Sequence, residues 1–221
     1  EEERNDSYNL IAVDISEGLG QDYSIVNMFK LDYKPIDLIE EQKETYSSLT
    51  DFFCLKQYGM FRTNVISVEQ LAEFVYLLAF EYLDENKVKL VIESNNDGKA
   101  FLIALKNVFE QNNDYSSHVI LKFKHRADDK ERKLGLKITS GNKTEDRFVK
   151  DYQTDLENQN ILVYNETNIT EIGTFIKHIT PRGNVIYKGD GGNDDTAMTI
   201  IGLSQGLRHG MFKDMIHEYH D

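Results

Sequence analysis

One cysteine, two prolines and no long apolar run bound this chain before any motif is read. A lone thiol, Cys54, can neither close an internal disulfide nor supply a cysteine-rich zinc site; a reducing compartment is then the default, and Cys54 reads as a small core residue. No stretch of about 18 uninterrupted apolar residues occurs, and the acidic start EEERND lacks the basic and apolar regions of a signal peptide. The expectation is a stretch with no membrane-spanning helix and no export by that route. The GxxxxGK[ST] spacing of a phosphate loop is missing throughout, and DGK at 97–99 does not replace it. No internal repeat or low-complexity linker divides the 221 residues, so one domain over 1–221 is the simpler reading. The chain opens on Glu1 instead of Met and runs directly into a strand-like segment, which suggests a piece of a longer protein.

Positive charge is scarce overall and concentrated locally. A net charge of −13 argues against a general nucleic-acid coat, because phosphate contacts need Lys and Arg. Residues 122–150 nevertheless hold ten Lys/Arg against five Asp/Glu, a local +5 that leaves −18 on the rest. A basic segment beside an acidic body fits a protein that touches nucleic acid on one face. The candidates are Lys122, Lys124, Arg126, Lys130, Arg132, Lys133, Lys137, Lys143 and Arg147, of which the first six lie on or beside the loop KHRADDKERK (124–133). The plainer reading of that loop is a solvated segment whose mixed charges largely cancel.

YNLIAVDI (8–15) is a nearly continuous apolar run, the pattern of a strand covered on both faces. YSIVNMFKLDY (23–33) alternates more and makes a hairpin with it through a glycine turn. Residues 34–60 read as a long connection with some local order. Ser67 and Gln70 form a capping box at the head of an amphipathic helix reaching Tyr82. KVKLVIES (87–94) is a second buried strand, followed by a helix over 98–110 and a short strand at 118–123. A helix over 144–157, a strand at 160–164, a second capping box NITE (168–171) opening a helix to Lys177, a short strand or hairpin, and a last helix from near Asn193 complete the chain. The strand–helix–strand order favours an α/β sheet. HEYH at 217–220 reads as chain tail before metal site.

Three acidic groups sit where core building alone would not put them: Asp14 in LIAVDI, Glu93 in LVIES, and the Asp194-Asp195 pair after GDGGN. An unpartnered buried carboxylate costs several kcal/mol or is neutralised by a pKa shift. A divalent cation offsets several convergent carboxylates more fully than a lysine does, and magnesium prefers such oxygens. Taken singly each acid has an ordinary explanation: a turn former, a residue leaving the sheet, a helix start favoured by the dipole. Together they point beyond strand ends, where ligand sites form in α/β sheets. Gly18 and Gly20 permit a tight turn that brings Asp22 back towards Asp14, as a further ligand or as a turn residue bonded to backbone.

The order VDISEGLGQDYS, VIESNNDG and GNDDTAM resembles the C-terminal nuclease domain of the large terminase subunit of tailed bacteriophages, the T4-like kind especially. The resemblance continues through LGLKIT and NILVYNETNITEIGTF and spans nearly the whole chain; DxSxGxGxDY is its most specific piece. It implies an RNase H-like fold, a mixed sheet flanked by helices. On this sequence it places divalent metal, Mg²⁺ or Mn²⁺ as two ions, on Asp14, Glu93 and one of Asp194 and Asp195. The register before Ala197 favours Asp195, and Asn193 stands where family members often show His.

The resemblance further implies sequence-independent hydrolysis of double-stranded DNA concatemers during genome packaging, with the acids assigned to ligation. It implies an ATPase domain on the part missing from this chain, and portal, procapsid and small terminase as partners. The location it implies is the cytoplasm of an infected bacterium, transiently at the procapsid portal. Two other readings stay open: an RNase H-like junction resolvase or recombination nuclease, and a non-catalytic module docking DNA or portal through the acidic surface.

Overall fold

The computed structural model describes residues 7–16, 23–37, 39, 49–114, 118–125, 129–138, 143–179, 181, 185–189 and 195–220. β1 (Asn9–Asp14) and β2 (Ser24–Tyr33) form the expected antiparallel hairpin, with Asp14 opposite Ile25. β3 (Phe53–Thr63) continues the sheet antiparallel to β2, with a bulge between Met28 and Phe29. β4 (Val88–Ile92) lies parallel to β1 on the other side, and β7 (Ile161–Leu162) parallel to β3, giving the mixed order β4-β1-β2-β3-β7. The strand β3 takes up the end of the segment, from residue 53, that the sequence suggests is a connection over 34–60. Its FCLKQYGMFRT mixes polar and apolar residues, and burial of Phe53, Cys54 and Leu55 against the sheet decides its state.

Alternation along β1 explains its continuous apolar run. Leu10 and Ala12 face one core, with Phe29, Leu31, Leu55 and Val91, while Ile11 and Val13 face the other, with Val26, Leu90 and Ile92. The second core is covered by α1 (Val68–Leu77), which runs on into a π-helical turn over Leu78–Tyr82, and by α2 (Asn96–Gln111). The Ser67–Gln70 capping box closes the head of α1 as expected. The first core is covered by α3 (Lys143–Glu157), α5 (Asp195–Leu207) and α6 (Gly210–His220). The last of these was expected as part of one final helix and stands as a helix of its own. HEYH is therefore helical, and His220 Nδ1 lies 3.3 Å from the Tyr33 hydroxyl.

α4 (Glu166–Thr174) starts earlier than NITE suggests. Asn165 caps it by accepting the Asn168 amide at 3.2 Å, while Asn168 is fully buried inside the helix. The following FIKHI pairs as β8 (Phe175–Ile179) with β9 (Val185–Gly189) instead of extending the helix. At the outer edge of β4, segments around β5 (Lys122–Phe123) and β6 (Lys133–Leu134) add short bridges, Leu90 to Ile120 and Glu93 to Leu136. The strand expected over 118–123 is thus only two residues of ladder plus a bridge.

Two glycines set how closely helices approach this sheet. A Cβ on Gly206 would come within 2.8 Å of Leu10 Cδ2 and 3.0 Å of Val91 Cγ2, so α5 lies tight against β1 and β4. At the head of α2, a Cβ on Gly98 would stand 1.8 Å from the Glu93 carbonyl oxygen. Backbone cannot yield there as a side-chain tip would. Gly98→Ala is therefore expected to lower the urea unfolding midpoint by the equivalent of about 1–3 kcal/mol or more. An unchanged midpoint would show that α2 does not crowd the end of β4.

Candidate metal centre

Asp14 is the last residue of β1, and Glu93 follows β4, its amide donating to the Val13 carbonyl at 3.0 Å. Parallel pairing of these two strands in register puts both acids at the same sheet end. Asp195 is the first residue of α5, and the helix repeat aligns it with Gly202 and Gly206, the stripe that faces β1. Tight packing of that stripe carries the helix head towards Asp14. Desolvation by burial raises the Asp14 carboxyl well above its ordinary value, and the charges of Glu93 and Asp195, with a hydrogen bond to Glu93, push it further. The Ile15 amide works in the opposite direction and is outweighed.

Each acid is also held by its own donors. Asn95 Nδ2 donates to Glu93 Oε1 at 2.5 Å and to the Ile138 carbonyl, tying Glu93 to the segment after β6. The Tyr23 amide donates to Asp195 Oδ2 at 3.2 Å. With that oxygen turned to β2, Asp195 stands within electrostatic reach of Asp14, yet the acids do not close into one ligand shell: no group of three or more His, Cys, Asp or Glu donors does so among the described residues. Asp22 and Asp194 lie outside the described residues. The donor chemistry suits a hard divalent cation, being carboxylate oxygen alone, and the Asp14 carboxyl, raised chiefly by burial and further by the charges of Glu93 and Asp195, is a group whose ionised form such a cation would favour.

Beneath α5 lies a buried polar network that the sequence did not signal. Asn27 donates to Thr199 Oγ1 at 2.6 Å, and its Oδ1 accepts from Gln57 at 2.9 Å and Asn168 at 2.8 Å. Gln57 Oε1 in turn accepts the amides of Tyr164 and Asn165, both at 2.9 Å. Its members come from β2, β3, α4, α5 and the turn before α4, so no local spacing reveals it. Arg62 and Glu171 pair at 2.6 Å beside it.

The basic residues of the 122–137 segment lie on the short strands and loop beside β4. His125 Nε2 donates to the Gly135 carbonyl at 3.0 Å and lies 3.5 Å from Ser94 Oγ, which roots the 124–133 loop beside the residue following Glu93. Lys122, Lys124, Lys130, Lys133 and Arg147 are exposed, and Lys137 is half-buried. Arg132 is exposed with its guanidinium 3.2 Å from His209 Nε2. Arg126 and the side chain of Lys143 lie outside the described residues.

No protein-family model matches the chain, and no curated protein matches it. Solved structures do. The large terminase nuclease of thermophilic phage G20c, with bound cobalt or with bound magnesium, superposes with a TM-score of 0.60 at 17% identity, covering 91% of this chain and 82% of that one. The large terminase nuclease domain of Thermus phage P74-26 gives a TM-score of 0.54 at 15% identity, over 90% of this chain and 79% of that one. The chain has the fold of the phage large terminase nucleases, an RNase H-like mixed sheet flanked by helices.

Proposed function

We propose that the chain is a divalent-metal-dependent endonuclease that cuts double-stranded DNA during phage genome packaging. The observation that carries this is the meeting of Asp14, Glu93 and Asp195 at one sheet end, in a fold shared with terminase nucleases that bind cobalt or magnesium. Asp14, Glu93 and Asp195 hold Mg²⁺ or Mn²⁺, with Asp22 and Asp194 as further candidates. Two bound ions would activate water and relieve charge on the leaving oxygen. The chain's own part is positional. Asn95 fixes Glu93, the Tyr23 amide fixes one Asp195 oxygen, and no side-chain nucleophile is required.

Substrate grip falls to the exposed lysines beside the site. Lys122, Lys124, Lys130 and Lys133, with Arg126, Arg132, Lys137, Lys143 and Arg147, offer phosphate contacts, which position a duplex without reading its sequence. Backbone grip alone gives cleavage largely independent of sequence. An ATPase domain, the portal and the small terminase are the partners this role carries with it.

Plasmid cleavage tests the reading directly. With Mg²⁺ or Mn²⁺ the protein is expected to nick and linearise supercoiled DNA, EDTA to stop it, and Asp14→Asn or Glu93→Gln to lower the rate at least about a hundredfold with the fold intact. No cutting by the parent with either metal, alongside retained DNA binding, would favour the docking module; preference for branched over linear DNA would favour a resolvase.

The raised Asp14 carboxyl makes a second expectation. Its folded pKa lies above the unfolded one, so the folded state binds this proton more tightly, and this contribution to stability falls as pH rises from about 4 through the folded pKa. In EDTA at neutral pH, Asp14→Asn should therefore unfold a few degrees higher than the parent by calorimetry. Mg²⁺ should raise the parent's transition and leave that of Asp14→Asn nearly unchanged. A variant less stable than the parent in EDTA would refute the electrostatic account.

A further inference from the structure

Of the three acids, Asp195 alone comes from a helix, so its place depends on how the head of α5 is held. Two residues hold that head from opposite sides. Glu171, on α4, accepts the Thr196 amide through Oε2 at 3.3 Å and Arg62 Nη1 through Oε1 at 2.6 Å. Arg62, on β3, lays its guanidinium over the Tyr23 ring, 4.0 Å from the centroid. Tyr23 is the residue whose amide donates to Asp195 Oδ2. One end of the ion pair thus grips the residue after Asp195, and the other seats the residue that bonds its carboxylate.

A simple tie between β3 and α4 would not need these groups. The two side chains are only 17% and 10% exposed, and taking two charges from water is costly; an apolar pair of like volume would pack at least as well. An apolar pair could not accept an amide at the positive end of a helix, nor stack a planar cation on a ring. Arg62 Nε is buried without a hydrogen-bond partner among the described residues, and the guanidinium is held by its contact to Glu171 and by the ring. Lysine could not reproduce that seating, because it lacks the plane and the fork.

We infer that the Arg62–Glu171 ion pair is a positioning device for Asp195 and thereby sets the affinity of the acidic site for its divalent cation. This rests on the metal-site reading above. The pair acts through Thr196 and Tyr23.

The test is calorimetric titration of Mn²⁺ into the protein without DNA, with thermal unfolding in EDTA recorded in parallel. Arg62→Gln and Glu171→Gln are each expected to weaken Mn²⁺ binding about tenfold, as loss of a group that orients a metal ligand does. The double variant should be no weaker than either single one, and Arg62→Lys should recover only part of the loss. Tyr23→Leu, which removes the ring and keeps the ion pair, should weaken binding in the same sense and covers the case in which a charge variant fails to fold. Binding within about twofold of the parent in folded variants, or losses that multiply in the double variant, would reduce the pair to a strand–helix tie and overturn the inference. A parent that binds no Mn²⁺ would instead bring down the metal-site reading, and this inference with it.

Discussion

Repulsion among carboxylates at one sheet end is the constraint around which this molecule is arranged. β1 is covered on both faces, so Asp14 at its end is partly withdrawn from solvent, and Glu93 and Asp195 add like charge. A fold does not tolerate such a cluster for packing alone, since a polar or apolar residue at any of the three positions would relieve it. Holding it requires donors fixed in place: the Ile15 amide at Asp14, Asn95 at Glu93, the Tyr23 amide at Asp195. None of these donors carries a full charge. They orient the oxygens while leaving their net charge available for a cation, and a lysine in the same place would have cancelled it.

The scaffold needed to keep the acids this close is rigid and close-packed. Gly206 lets α5 rest on Leu10 and Val91, and Gly98 lets the head of α2 cross the Glu93 carbonyl. Both approaches are short enough that one methyl group would shift an element carrying an acid. The buried network of Asn27, Gln57, Asn168 and Thr199 adds direction to the packing on the β2 side of α5. Apolar contacts would allow the helix to slide by a fraction of a turn; satisfied hydrogen bonds in a buried setting specify one register.

The parts legible in the sequence are those with local causes. LIAV declares a strand covered on both faces, Ser67 and Gln70 declare a helix start, and the acids at strand ends declare themselves by being out of place. β3 was hidden because Lys56, Gln57, Tyr58 and Arg62 interrupt its apolar pattern, and what settles it is burial of Phe53, Cys54 and Leu55 together with pairing to β2 on both sides of the bulge. NITE has the spacing of a capping box, yet Asn168 faces Asn27, 141 residues away, and Asn165 takes the cap. Arg62 and Glu171 are 109 residues apart and pair only once β3 and α4 are assembled. Tertiary partners of this kind leave no trace at helical or strand spacing.

The placement of positive charge follows from the same electrostatics. On the proposed nuclease reading, a duplex approaching an acidic centre on a chain of net charge −13 is repelled unless cations lie near the point of contact. His125 binds the Gly135 carbonyl and lies against Ser94, so the loop bearing Lys124 and Lys130 is anchored one residue from Glu93. His209 fastens the other side: its Nε2 donates to the Lys122 carbonyl at 3.0 Å and its Nδ1 accepts the Met211 amide at 3.3 Å. That pattern needs the neutral imidazole, and burial, the largest cause, together with the Arg132 charge lowers the pKa in the same direction, though the Lys122 carbonyl and Asp214 oppose it. With Nε2–H directed at Lys122, the nearby Arg132 guanidinium has no acceptor on this ring and keeps its donors for other groups. The loop is thereby tied beside β4 by His125 and to the α5–α6 junction by the neutral His209 ring, while Lys124, Lys130, Arg132 and Lys133 stay exposed.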